Sequence, residues 1–218
     1  MNVGIDPTFP PFEATDGENL YGIDVELAES LANNLGLEAE FTYFGYDGLY
    51  DALLTKQVDI LISALAIFPE LTGDFAYSDP YFNAGQVAVF HQSEQILTLE
   101  DLTDQAIAVE LGADGHLLAR DLQREKPAIT VITFNSAEEA LVALESGAAD
   151  IAVTDSISAQ TFSFNESYSE STVFLTDEPY AVVVRAGDEL LLENLNDSLA
   201  NLIDSGVLDQ IKTNWLSD

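Results

Sequence analysis

The sequence predicts an α/β protein made of two Rossmann-like α/β lobes joined by two crossover strands. Three observations carry this. Short apolar runs alternate with amphipathic segments, one helix–turn–strand block recurs, and 47% hydrophobic content over 218 residues is enough to build cores without a single cysteine. Asn2 to Asp6 reads as a first strand. Ile23 to Leu35 places Val25, Leu27, Ala28, Leu31, Ala32 and Leu35 on one helical stripe, and Gly36 stops it. Glu40 to Phe44 reads as a strand and Asp47 to Lys56 as a helix. Val58 to Leu65 is a near-continuous apolar strand of the kind buried on both faces.

The second half repeats the pattern, with strands at Ala106 to Leu111 and Thr130 to Phe134 and helices at Gly115 to Glu125 and Ser136 to Ser146. AEEALVALESGAADIAVTD, from Ala137 to Asp155, echoes GLYDALLTKQVDILISA, from Gly48 to Ala64: helix, turn, an Asp opening an apolar strand, then a small polar exit. Two similar lobes follow from this better than one sheet does. Gln86 to Phe90 and Ala181 to Val184 are apolar strands suited to carry the chain between lobes. The expected division is therefore 1–88 with 185–218 for lobe 1 and 89–184 for lobe 2. Helices at Glu189 to Ile203 and Leu208 to Trp215 return to the first lobe.

Charge excludes several functions. Thirty-nine acidic residues against six basic ones give a net charge of −33. Nucleic acid binding is not expected, because no basic patch exists to displace counterions, and anionic lipid surfaces are disfavoured on the same ground. By area scaling a folded chain of this size has about 300 Å² of surface per net charge, so the charges lie about 17 Å apart. Ordinary salt screens that spacing, and the acidity reads as solubility or salt adaptation. No run of about 18 apolar residues is present to span a bilayer. The N-terminus lacks a basic stretch followed by an apolar core, so no signal peptide is expected within this chain.

The blocks TFPPF, YGIDVELAESLANNLGL, YDGLYDALLTKQVDILISAL, YSDPYF, ESGAADIAVTD and the terminal NWLSD occur in order over nearly the whole chain. Together they resemble the extracellular solute-binding proteins of family 3, the amino-acid-binding type that serves ABC transporters. The resemblance implies the type II periplasmic binding protein fold, a small-molecule solute held in the cleft between lobes, an ABC transporter permease as partner, a monomer, and a place outside the cytoplasmic membrane. It also implies positions. Phe9 and Tyr46 match aromatic contacts, Ser63 and the adjoining Ala64 match the strand-end contacts, and Asp155 matches the partner of an α-ammonium group.

Departures from the family pattern bear on the solute. Leu71 occupies the position of the arginine that holds an α-carboxylate, and Phe68 stands where a hydroxyl residue belongs. Gly112-Ala113-Asp114 replaces the Gly followed by two Ser/Thr residues that receives the carboxylate, and Asp114 reads as the cap of its own helix. With Phe12 and Glu110 added, the expected cleft is aromatic and acidic. That favours a positively charged solute without a free carboxylate. Packing roles stand beside these readings: Phe12, Phe68 and Tyr81 also suit a core, and Glu110 alternates with Val109 and Leu111 as a solvent-facing residue does. Arg120 or Arg185 would restore an anion partner if the Phe68 to Asp74 loop were remodelled.

Catalysis finds little support. There is no cysteine, Gly-x-Ser-x-Gly elbow or phosphate loop, His91 and His116 are far apart, and no calcium loop occurs. No catalytic residue, cofactor or metal site is expected. One enzymatic alternative stays open, since the family's fold resembles that of cyclohexadienyl dehydratases, in which Glu110 would serve as proton donor. The ligand-sensing domain of a receptor is a further alternative.

Overall fold

The chain, described by a computed structural model over residues 1–91, 98–163 and 168–216, forms two units, Met1–Phe82 with Pro179–Asp218 and Asn83–Glu178. Unit 1 begins with β1 (Asn2–Ile5), β2 (Thr8–Phe9), β3 (Glu13–Thr15), β4 (Leu20–Tyr21), α1 (Ile23–Asn34) and β5 (Glu40–Tyr43). A 3₁₀ turn at Tyr46–Gly48 leads into α2 (Leu49–Leu54), followed by β6 (Ile60–Leu61), a 3₁₀ turn at Pro69–Leu71, β7 (Phe75–Tyr77) and β8 (Phe82–Asn83). Unit 2 contains β9 (Gln86–His91), β10 (Ala106–Glu110), α3 (Asp114–Glu125), β11 (Thr130–Phe134), α4 (Ala137–Glu145), β12 (Ile151–Asp155), α5 (Ser156–Thr161) and β13 (Tyr168–Phe174). The chain returns to unit 1 through β14 (Pro179–Tyr180), β15 (Val183–Arg185), α6 (Glu189–Asp204) and α7 (Val207–Leu216). Ser217 and Asp218 of the terminal block lie outside the described residues.

The two main sheets have one topology. Unit 1 orders its strands β5-β1-β6-β15-β7 and unit 2 orders them β11-β10-β12-β9-β13. In each, the first three strands are parallel and the next runs antiparallel. The repeated Asp explains part of this. Asp59 accepts the Asn2 N–H at 2.8 Å, and Asp150 accepts the Ala106 N–H at 2.8 Å, so in each unit the Asp opening the third strand fixes the start of the first.

Three expectations need correction. Val58 to Leu65 is buried almost throughout but only Ile60–Leu61 is strand, because the ladder to β1 stops at Leu61 and the backbone turns to φ +45° at Ala64. The strand Gln86–His91 carries no chain between units; it is paired on both sides inside the sheet of unit 2, with β12 and β13. The division accordingly falls after Phe82 and after Glu178, six residues before each expected boundary. The small β2-β3-β4 sheet has no apolar alternation long enough to announce it.

That small sheet positions α1. The first helical N–H groups lack partners within a helix, and here Pro11 C=O accepts from Ile23 N–H at 3.1 Å and Phe12 C=O accepts from Asp24 N–H at 2.9 Å. Contact this close requires Gly22, at φ +130°, where an added Cβ would lie 2.2 Å from the Phe12 carbonyl oxygen. Gly22→Ala is expected to destabilise unit 1 by about 3 kcal/mol through backbone strain and the clash. Urea unfolding checks this, and a loss below about 1 kcal/mol contradicts it.

Candidate functional site

The parallel strands of each unit share one exit end, where Asp6, Ser63 and Ala64 lie in unit 1 and Glu110 and Asp155 in unit 2. In unit 1, Phe9 on β2 is 45% exposed and stacks on Phe12, with ring centroids 5.9 Å apart. Phe12 itself is fully buried, edge-on to Phe82 at 5.0 Å and Tyr180 at 5.4 Å, so it is a core residue that supports the Phe9 ring. Tyr46 is 50% exposed and starts the 3₁₀ turn; its backbone N–H donates to the Asp6 carboxylate at 2.8 Å. Two exposed aromatic faces thus flank the end of β1.

Ser63 and Ala64 occupy the exit of β6, but their polar groups serve the protein. The Ser63 hydroxyl donates to Glu13 Oε1 at 2.7 Å and accepts from Asp6 N–H at 3.0 Å, while Ala64 N–H donates to Asp24 Oδ2 at 2.6 Å. Phe68, half-buried, precedes the 3₁₀ turn that ends at Leu71. Leu71 packs on the cluster of Leu49, Leu53, Val58, Leu61, Phe75 and Val183. Arg185 cannot supply the missing arginine from where it stands. Its guanidinium donates to Leu53 C=O at 3.1 Å and Val58 C=O at 2.8 Å and pairs with Asp188 at 2.6 Å. Arg120 lies exposed within α3.

In unit 2, Glu110 ends β10 and its carboxylate accepts the Ala137 N–H at the start of α4, 3.1 Å away. The solvent-facing reading is corrected by this contact: Glu110 complements a helix N-terminus. Asp114 does not cap its helix. Ala113 is the N-cap, without a side-chain capping bond, and Asp114 is the first helical residue. Asp155 is the N-cap of α5 instead, accepting from Ser158 N–H at 2.8 Å and Ser158 Oγ–H at 2.7 Å.

The structure brings Asp114 and Asp155 together with Glu178, a residue that no motif or periodicity marks. Glu178 is exposed, yet partial desolvation and then the Asp114 and Asp155 charges push its carboxyl above the ordinary value. Among the described residues no lysine or arginine is one of the groups acting on it. The spot is a local excess of negative charge, suited to a cation. Glu178 sits in a segment without periodicity, and only tertiary folding places it; its N–H donates to Asn83 Oδ1 at 2.9 Å.

Two sheets of the same parallel order in one chain, each with polar and aromatic residues at the strand exits, define a type II periplasmic binding protein. The chain belongs to the bacterial extracellular solute-binding proteins, family 3, whose family model matches residues 1–218. It is 27% identical over 222 residues to ABC transporter arginine-binding protein 1 of Escherichia coli K12, covering 99% of this chain and 90% of that protein. A solved ancestral cationic amino acid solute binding protein is 32% identical, with TM-score 0.71, covering 100% of this chain and 95% of that one. A solved ancestral cyclohexadienyl dehydratase has TM-score 0.82 at 24% identity, covering 100% and 92%, and shares the fold. The chain is therefore an extracytoplasmic solute-binding protein serving an ABC transporter. Among the described residues no helix is long and apolar enough to cross a membrane.

The Ser63 hydroxyl joins two otherwise unpaired groups, so Ser63→Ala leaves Glu13 Oε1 and the Asp6 N–H without it. A loss of about 1–3 kcal/mol in urea unfolding is expected, and a change under about 0.5 kcal/mol contradicts the assigned role.

Proposed function

We propose that the solute is cationic, amino-acid-like or a simple amine, gripped between the exposed aromatic faces of Phe9 and Tyr46 and the carboxylates Asp114, Asp155 and Glu178. The observation that carries this reading is that the Asp114 and Asp155 charges both act on Glu178, with no basic side chain among the groups that do so. A cation placed there gains a charge partner when water is expelled, and aromatic faces add about 0.5 to 2 kcal/mol. The two binding-protein relatives, one named for arginine and one for cationic amino acids, support the sign of the charge. Leu71 at the arginine position, and Arg185 engaged with Leu53, Val58 and Asp188, support a weak demand for a free carboxylate. Polyanions are not partners on this reading, and the protein works as a monomer.

The enzymatic alternative has less support. Glu110, its proton donor, has one carboxylate oxygen already engaged by the Ala137 N–H. Incubation with prephenate or arogenate is expected to give no aromatic product.

Titration calorimetry against arginine, lysine, aliphatic amines, quaternary ammonium compounds and glutamate tests the main proposal. Binding of cations is expected; tight glutamate binding with no cation bound defeats it. Asp155→Asn keeps the N-cap acceptor while removing the charge, so the melting temperature should hold while affinity falls about 30-fold or more, roughly 2 kcal/mol. Unchanged affinity would show that Asp155 does not pair with the cation.

A further inference from the structure

Unit 1 buries two carboxyl groups that solute binding does not use. Glu13 on β3 is 1% exposed and Asp24 in the first turn of α1 is fully buried. Around them stand Asp6 after β1, Ser63 and Ala64 after β6, Tyr81 before β8, and Tyr180 on β14. No lysine or arginine is among the groups acting on either carboxyl. Two adjacent ionised carboxylates in a dry interior would repel each other and lack counter-charge.

The hydrogen bonds show what is missing. Asp6 N–H donates to Ser63 Oγ, Ser63 Oγ–H donates to Glu13 Oε1, and Ala64 N–H donates to Asp24 Oδ2. Glu13 Oε2, Asp24 Oδ1 and the Tyr81 hydroxyl are each buried without a partner of ordinary geometry. Glu13 and Tyr81 both lie close enough to Asp24 to feel its charge. A proton on Glu13 supplies the absent donor. Glu13 then donates to Asp24, the Tyr81 hydroxyl donates to Asp24, and all three atoms are satisfied.

We propose that Glu13 and Asp24 share one resident proton, and that this proton-bound pair is the device that locks the exit of β6 to the small sheet, to α1 and to the segment entering β8. A bound metal cation is the competing occupant. Among the described residues no group of three or more His, Asp or Glu side chains is arranged to hold a metal. The two carboxyls with one tyrosine hydroxyl offer few oxygens for a hard cation.

Burial first, then the Asp24 charge, pushes Glu13 from 4.5 up to about 10, and burial pushes Asp24 up to about 6. The sign follows. Glu13 is raised on folding, so its contribution to stability is fully present below pH 4.5 and is lost progressively as pH rises towards 10. Over this range the unfolded chain has released the proton that the folded chain keeps.

The test is the unfolding equilibrium of the full chain between pH 7.5 and 9.5 for wild type, Glu13→Gln and Asp24→Asn at constant ionic strength. Relative to Glu13→Gln, which donates without titrating, the wild-type folding equilibrium constant is expected to fall tenfold per pH unit. Parallel pH profiles for the two proteins would overturn the proposal. Where a variant fails to fold, infrared difference spectra of wild type serve instead. A protonated carboxylic C=O band at pH 8 that is lost reversibly above pH 10 supports the shared proton, and its absence at pH 8 rejects it. Stability that follows lithium, sodium or potassium at fixed pH and ionic strength would assign the site to a metal cation and reject the proton.

Discussion

Each unit depends on carboxylates that accept backbone N–H groups at the two ends of its first parallel strand. At the entry, Asp59 takes the Asn2 N–H and Asp150 takes the Ala106 N–H. At the exit, Asp6 takes the N–H of Tyr46 and Glu110 takes that of Ala137, each opening the helical segment after the second strand. A helix start presents donors with no internal partner, and a carboxylate both satisfies a donor and complements the helix dipole. These four contacts tie the first strand of each sheet to the third at its entry and to the following helical segment at its exit.

With six lysines and arginines against 39 acidic residues, the chain offers few basic side chains for its carboxylates to pair with. Arg124 pairs with Asp121, Arg185 with Asp188 and Lys212 with Asp209, each local in sequence. Long-range polar organisation is carried by carboxylate-to-backbone bonds, which need no basic partner. Arg185 works in the opposite sense, donating to the Leu53 carbonyl near the end of α2 and to Val58 beyond it.

The sequence made the fold legible where periodicity was strong. Ile23–Asn34, Thr130–Phe134 and Glu189–Asp204 match expectation to within a residue or so, and the repeated Asp marked a real equivalence. Legibility failed where structure rests on contacts between distant segments. The β2-β3-β4 sheet consists of strands of two or three residues, too short for any period to show. The apolar run from Val58 to Leu65 exceeds its two-residue strand because burial alone resembles strand pattern, while the backbone at Ala64 is held by Asp24, forty residues earlier. One signal for that contact was present: Asp24 interrupts an apolar stripe between the buried Ile23 and Val25. Phe9 and Tyr46 are exposed in unit 1 while Phe12, which shares their aromatic character, is core, and Glu178 leaves no trace in the pattern.

The C-terminal helix carries the chain's only tryptophan. Trp215 stacks on Tyr21 at 5.8 Å, and its indole N–H donates to Glu26 at 2.9 Å, which fastens α7 to β4 and α1 within unit 1. Indole emission excited at the red edge therefore reports the integrity of one unit alone. Circular dichroism averages over both, so a gap between the two melting curves would reveal that the halves of this protein come apart at different temperatures.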